Sequence, residues 1–294
     1  MNRYAVIDSA QRPHFHERLQ RLGAPYRSLF DLTAESSLLD IAPLLVTWPD
    51  TGGNTQLDAE ILQMGAQKPG VVLLWSALDV DELAQTLRAF HLAKVPEKGG
   101  REMLLRWYDT RVLPALLDLL LPAQRAGLLE GVQRLQYFDR YGDLQEWPLA
   151  EGDEGDLPAL PPLRLDEHQY AALLDACEPD VAIAQLRRVI PDEMKRVPYR
   201  SLYPFVVSQM QATIGHGVDQ VDDHVQYLLL ALYTSGACSG HPAVQARFAQ
   251  AAAASEVAFA DWVSSLPEDI WSTGAPLWSH AFPATQAHVD PSWT

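Results

Sequence analysis

Four stretches of the chain hold side chains whose types and spacing suit chemistry. DTGG, from Asp50, carries the Asp-Thr-Gly triplet in which two carboxylates share a proton for acid–base hydrolysis. That chemistry needs two copies and one is present, directly after Pro49, so a turn following an apolar run is the stronger reading. HGVDQVDDH, from His216 to His224, offers two imidazoles with Asp219, Asp222 and Asp223, a donor set for a hard or borderline metal. Gly215 and Gly217 mark a helix end, and the acids suit the first turn of the next helix, where the dipole favours negative charge. Capping accounts for them, and no metal ligand is assigned. Cys238 and His241 read either as a nucleophile and its base or as a loop punctuated by Gly236 and Gly240 before Pro242 opens a helix. The fourth stretch is REMLLRWYDTRVLPALLDLLLP, from Arg101, where Arg106, Tyr108, Asp109 and Arg111 stand between an apolar run and a leucine-rich one.

The elements around that last stretch decide what its polar row can do. EMLLRWY, from Glu102, predicts a strand with Met103, Leu105 and Trp107 on one face and Leu104, Arg106 and Tyr108 on the other. Asp109 or Thr110 would cap the helix that follows, whose Leu113, Leu116, Leu117 and Leu120 form one apolar face, with Pro114 tolerated in the first turn. Two readings stay open. Arg106 pairs with Asp109 or a neighbouring acid and fixes the strand-to-helix turn, or it lines a ligand crevice at the carboxyl ends of strands, where a hydrolase would place its site. No second catalytic group adjoins it in sequence. A Gly-x-Ser-x-Gly elbow, a phosphate-binding loop and a His-Glu-x-x-His pair are absent, so no catalytic residue and no cofactor is assigned.

At 294 residues, 48% of them apolar, the chain suffices for one large or two modest domains. Apolar runs YAVID, PLLVTW, VVLLWS and EMLLRWY read as strands alternating with helices, the clearest in LDVDELAQTLRAFHLA, where Asp79 and Glu82 form a capping box. LQYFDRYGDLQEWPL reads as a hairpin turning at Tyr141, Gly142 and Asp143. The expected fold is an α/β N-terminal lobe, a central sheet with flanking helices over 1–149, followed by an all-α lobe over 165–270. An acidic, Pro-rich linker over 150–164 joins them, and an irregular Trp/Pro-rich tail occupies 271–294. The helical lobe opens on a capping box of Asp166 and Gln169, with Leu165 stapling onto Tyr170. Later helices carry Leu202, Phe205, Val206 and Met210, then Val225, Leu228, Leu229 and Leu232, and an alanine-rich helix runs from Pro242 to about Trp262. The tail, with Trp271, Trp278, Phe282 and Trp293, either straps its own domain or fills a partner groove.

The net charge of -16 repels phosphate backbones and anionic lipid, which counts against nucleic acid and peripheral membrane as partners. No apolar run reaches the ~18 residues of a membrane helix, no signal-like segment opens the chain, and two distant cysteines suit a reducing, cytoplasmic setting. The first 150 residues hold 15 of the 22 basic and 19 of the 38 acidic groups, leaving -12 on the rest. Within that acidic half Arg187, Arg188, Lys195, Arg196 and Arg200 cluster, either as a solvated helix face or as a docking patch for an acidic partner.

YAVIDSA near the start, SLFDLTAESSLLDIAPLLV from Ser28, LLWSALDVDELAQTLRAF from Leu73 and LLRWYDTRVLPALLDLL from Leu104 occur in an order that resembles the Tap/TEC family, the adaptor chaperones of type VI secretion effectors. The resemblance is close over the first 150 residues and extends to the second half only in helical character and length. Arg106, Tyr108, Asp109 and Arg111 match the family's strand-to-helix motif. The resemblance implies a non-enzymatic cytoplasmic adaptor that binds a secreted effector, keeps it soluble and loads it onto the VgrG spike protein. On that view Arg106, Tyr108, Arg111, Arg187, Arg188, Arg196 and Arg200 are candidate partner contacts and Asp109 is a structural residue. A hydrolase with its site near Arg106, and a permanent subunit of a larger assembly, are the alternatives.

Overall fold

The computed structural model describes residues 1–48, 55–96, 100–149, 161–216, 218, 220–249 and 257–282. They fall into two units, one through Ala176 and the other from Cys177. In chain order the first contains β1 (Asn2–Asp8), α1 (Phe15–Leu22), β2 (Tyr26–Ser28), β3 (Pro43–Thr47), α2 (Thr55–Gln67), β4 (Val71–Ser76) and α3 (Val80–Arg88). There follow β5 (Leu92–Lys94), β6 (Glu102–Leu104), α4 (Leu113–Leu119), α5 (Pro122–Leu128), β7 (Val132–Phe138), β8 (Leu144–Trp147), β9 (Leu163–Arg164) and the start of α6 (Glu167–Val189).

Six strands form the main sheet in the order β2-β3-β1-β4-β7-β8, each neighbouring pair antiparallel. Because β3 and β4 both run against β1, they are parallel to each other, and α2 joins them across the strand inserted between. The expected alternation of strand and helix is therefore present as a split β-α-β unit. Both faces of this sheet are buried. Tyr4, Val6, Leu45, Val72, Leu74 and Leu135 face one core with Leu83 and Leu87 of α3 and Leu113, Leu116 and Leu117 of α4. Ala5, Ile7, Leu44, Val46, Val71 and Leu73 face the other, with Phe15 and Leu19 of α1 and Leu57, Ile61 and Met64 of α2. Alternate residues of β1 thus go to opposite cores, which requires apolar side chains at every position from Tyr4 to Ile7.

The predicted helix signals appear as hydrogen bonds. Asp79 Oδ1 accepts from the amides of Asp81 and Glu82 at 2.9 Å each, and Glu82 Oε2 accepts from the Asp79 amide at 3.0 Å. Asp166 and Gln169 exchange the same pair at the start of α6, at 2.8 and 3.1 Å. The anticipated face of α4 is buried in full, with Leu113, Leu116, Leu117 and Leu120 among the core residues.

The strand expected from Glu102 to Tyr108 is shorter than its pattern. β6 ends at Leu104 because its partner β5 has three residues, and the ladder closes with the Leu105 amide on the His91 carbonyl at 2.8 Å. Beyond it the chain turns, with the Asp109 amide on the Arg106 carbonyl at 3.0 Å. β6 also lies outside the main sheet, in a small one of order β6-β5-β9. Met103 and Leu104 are exposed, while Leu105, Trp107 and Tyr108 are buried, so the predicted two-face alternation does not hold.

The second unit is helical: the remainder of α6, then α7 (Pro191–Met194), α8 (Tyr199–Gln211), α9 (Val221–Thr234), α10 (Pro242–Ala249) and α11 (Phe259–Ser264). α9 is buried around most of its circumference, through Val225, Tyr227, Leu228, Leu230, Ala231 and Leu232, rather than along one stripe. α8 buries Leu202, Val206 and Met210 of its expected face, whereas Phe205 is only partly buried. The alanine-rich run does not reach Trp262 as one helix, since Ala258 is extended (φ -55°, ψ 147°) where α11 begins. Ile270 is fully buried, the rings of Trp271 and Trp278 meet Tyr233 edge-on at 5.8 and 4.8 Å, and Ser235 Oγ donates to the Ala275 carbonyl at 2.6 Å. Over these residues the chain straps the C-terminal end of α9, while Trp293 and the 150–160 stretch of the expected linker lie outside the described residues. No described helix is long and apolar enough to cross a membrane.

The β7–β8 hairpin turns where the sequence places it. Asp139 Oδ1 accepts from the amides of Tyr141 and Asp143 at 2.8 and 3.0 Å, and Gly142 takes φ +79°. A Cβ there would stand 2.1 Å from the Ala66 carbonyl oxygen, so both conformation and space exclude a side chain. Gly142→Ala should cost about 2 kcal/mol or more, combining the left-handed penalty with a backbone clash. Denaturant unfolding checks this, and an unchanged midpoint would show that the hairpin is not pinned against α2.

Candidate functional site

Asp8 ends β1, and its environment organises the junction that the sequence marks at Arg106. Its amide donates to the Gly70 carbonyl at 2.9 Å, Oδ1 accepts from the Ala10 amide at 3.0 Å, and Oδ2 accepts from Arg106 Nη2 at 2.5 Å. The carboxylate has no exposed surface, whereas the Arg106 side chain is 38% exposed. Arg106 therefore finds its close partner 98 positions away rather than in Asp109, which stands at 3.9 Å. Asp109 is taken by Arg111: Oδ1 accepts from the Arg111 amide and Nε at 3.2 and 2.9 Å, and Oδ2 from Nη2 at 2.6 Å.

Neither Asp109 nor Thr110 caps α4. Val112 is the cap residue and makes no side-chain bond, while the Asp109 backbone carbonyl accepts from Val112 and Leu113 at 2.9 Å each. The Asp109 carboxylate instead closes a tight turn one step earlier, because the Arg111 fork meets both its oxygens. Two further bonds hold the turn: the Thr110 amide to the Pro69 carbonyl at 3.4 Å, and Arg140 Nη2 to the Arg111 carbonyl at 3.0 Å. Tyr108 is 2% exposed and packs edge-on against Trp107, which places its ring in the core and out of a partner's reach.

Burial falls unequally on the two ends of the Asp8–Arg106 pair. It raises the Asp8 carboxyl above the ordinary carboxylate range, opposed by the attraction of Arg106 and reinforced by Asp109. At Arg106 burial opposes the charge but is outweighed by the two acids, so the guanidinium is held charged more firmly than usual. The Tyr108 phenol is pushed up, by burial first and then by Asp8. This arrangement suits cross-bracing rather than catalysis: each carboxylate is matched to a guanidinium, and no nucleophile is activated. The crevice expected at strand ends rests on the geometry of parallel sheets, and this sheet is antiparallel. A cleft of about 300 Å³ lies beside α2, lined by Arg12, Glu60, Gln63, Met64, Gln67 and Lys68, and Arg106 is not among its walls.

The remaining candidates separate. Asp50 to Gly53, and Gly217 and Asp219, lie outside the described residues. The two imidazoles of the 216–224 stretch have different partners: His216 stacks on Phe248 with Nδ1 2.8 Å from its carbonyl, and His224 Nδ1 lies 2.7 Å from Glu178 Oε1. Among the described residues no group of three or more His, Cys, Asp or Glu is placed to hold a metal ion. Cys238 is fully buried and burial pushes its thiol up, opposite to the activation a nucleophile needs, while His241 faces Asp269 at 3.4 Å.

The basic cluster divides by exposure. Arg188, Lys195 and Arg196 are exposed at the end of α6 and around α7, with Lys195 on Asp192 at 3.1 Å and Arg196 on the Trp278 carbonyl at 3.4 Å. Arg187 and Arg200 are half-buried, and Arg187 lies over the Tyr199 ring at 5.7 Å. The exposed three, with Val189 at 56%, form the accessible part.

Sequence reasoning missed Asp8. The one available sign was an acid closing an apolar strand buried on both faces, YAVID, which a lone carboxylate could end only with a cationic partner.

Residues 3–127 match a family described as a domain of unknown function, DUF4123. The matched stretch runs from β1 into α5 and contains Asp8, Arg106, Asp109 and Arg111 but not the basic cluster. No curated protein and no solved structure matches the chain.

Removing Arg106 strands a buried carboxylate. Arg106→Met should cost about 3 kcal/mol, the low end for breaking a buried pair because water reaches the guanidinium. Adding Asp8→Asn to that variant should recover part of the loss, a coupling that chemical denaturation of the two single variants and the double variant measures. Additive losses would show that the pair does not brace the junction.

Proposed function

We propose that the chain is a non-enzymatic cytoplasmic adaptor that binds a type VI secretion effector, keeps it soluble and delivers it to the VgrG spike. The observation that carries this reading is the match of residues 3–127 to DUF4123, a family known for effector-loading adaptors. Three features support it. The polar row at Arg106 to Arg111 is occupied in bracing its own fold, which leaves recognition to other surfaces. The Cys238 thiol and the imidazoles of the 216–224 stretch are engaged in packing and pairing. A charge of -16 suits a protein that meets proteins rather than nucleic acid or anionic lipid.

The direct test is co-expression with the product of each flanking gene, followed by size-exclusion chromatography. Co-elution of one pair at micromolar concentration, with a raised soluble yield of the neighbouring product, is the expected result. Separate elution of every pair with unchanged yields would overturn the adaptor reading.

Arg188, Lys195 and Arg196 supply the docking patch for an acidic surface of the effector or spike, since they are exposed cations on an otherwise acidic half. Reversing all three to Glu should slow association at low salt and invert its salt dependence, because the attraction that salt weakens becomes a repulsion that salt screens. Stopped-flow association at two ionic strengths measures this, and wild-type rates at both would reduce the cluster to a solvated face.

A further inference from the structure

The cleft beside α2 draws its walls from two parts of the first unit. Glu60, Gln63, Met64 and Gln67 recur at spacings of three and four on one face of α2, Lys68 directly follows the helix, and Arg12 comes from the connection between β1 and α1. Lys68 Nζ donates to the Gln11 carbonyl at 2.7 Å, which draws its ammonium to the residue next to Arg12. Arg12 lies over the Phe15 ring at 4.9 Å and reaches Glu60 Oε2 at 3.5 Å. That contact is single and long, so the guanidinium keeps most of its five donors open.

The one acid in the lining is already taken. Glu60 receives Arg18 through a fork, with Nε at 3.2 Å from both carboxylate oxygens and Nη2 at 2.5 Å from Oε1. Arg18 holds the Glu60 carboxyl below its ordinary range, against burial, and Arg12 and Arg21 add to the effect. Arg12, Arg18 and Lys68 against Glu60 leave two positive charges in surplus here, on a chain whose net charge is -16. Gln63 and Gln67 are exposed and bring amides that donate as well as accept, and Met64, 5% exposed, gives the wall an apolar patch. At about 300 Å³ the cleft stands at the lower end of the range of small-molecule sites, with room for more than an anionic group alone.

We propose that this cleft binds a small organic anion. The carboxylate or phosphate group of the ligand meets Arg12 and Lys68, and its uncharged body lies against Met64 and the two glutamine amides. A neutral molecule gains nothing from either cation, and a cation is repelled by the surplus charge. This uses neither the family match nor any surface assigned to a protein partner, so it stands or falls independently of the adaptor reading.

Isothermal titration calorimetry of the full chain at low ionic strength tests this with glutarate and glycerol phosphate, with glutaramide as the uncharged counterpart of glutarate and a melting curve for every variant. One or both anions should bind saturably at a single site, the tighter of them naming the anionic group, and glutaramide should not bind. Arg12→Gln should weaken that anion about tenfold, the loss of one charge-assisted contact. Gln63→Glu keeps the side-chain shape at an exposed helix position and should weaken binding by a similar factor through repulsion, so the test survives if Arg12→Gln folds poorly. Arg27→Gln removes the same charge from the pair with Asp81 of α3, which packs on the other face of the sheet from α2, and should leave the affinity unchanged. That control separates the cleft from the general effect of net charge. No saturable binding of either anion, equal binding of glutaramide, unchanged affinity in a folded Arg12→Gln or in Gln63→Glu, or an equal loss in Arg27→Gln would overturn the inference.

Discussion

The first unit depends on a carboxylate that water does not reach. Asp8 ends a strand whose alternate residues enter opposite cores, and its negative charge at that depth is tolerable because Arg106 arrives from nearly a hundred residues later. The constraint acts in both directions along the chain. β6 must stop at Leu104 so that the backbone can turn and bring Arg106 to Asp8, and the next turn must be tight enough for α4 to lay its leucines on the sheet. Asp109 and Arg111 make that second turn without borrowing Arg106. The row of polar residues is thus two devices in series, a long-range brace and a local clasp.

Much of this fold is legible where one residue acts on its near neighbours. The capping boxes at Asp79 and Asp166, the hairpin at Gly142 and the leucine face of α4 all follow from spacings of two to four positions, and hydrogen bonds or buried side chains stand at each. What spacing does not carry is pairing across the chain. Nothing within EMLLRWY tells that its partner strand has three residues, so the pattern overran into Arg106 and Tyr108. The partner of Arg106 stands 98 positions away, where no local spacing points to it. In the second unit leucine spacing marks a single stripe on α9, whereas Tyr227, Leu230 and Ala231 bury its flanks as well.

For the candidate site the consequence is a division of labour. Residues that look chemical are engaged internally: Asp8 and Asp109 by guanidinium groups, His224 by Glu178, and Cys238 by burial. Residues that remain outward lie on each unit. The second unit offers Arg188, Lys195 and Arg196 on an acidic half, and the first offers Arg12 and Lys68 at the cleft beside α2.

The central claim, that the polar junction at Arg106 to Arg111 braces the fold, is tested most directly by amide hydrogen exchange on the chain alone and in complex with whichever flanking-gene product co-elutes with it. The account predicts slow exchange at Asp109 and Val112 in both states, with added protection on binding lying outside residues 101–112 and including 188–196. Protection on binding centred on residues 101–112, with residues 188–196 unchanged, would contradict it.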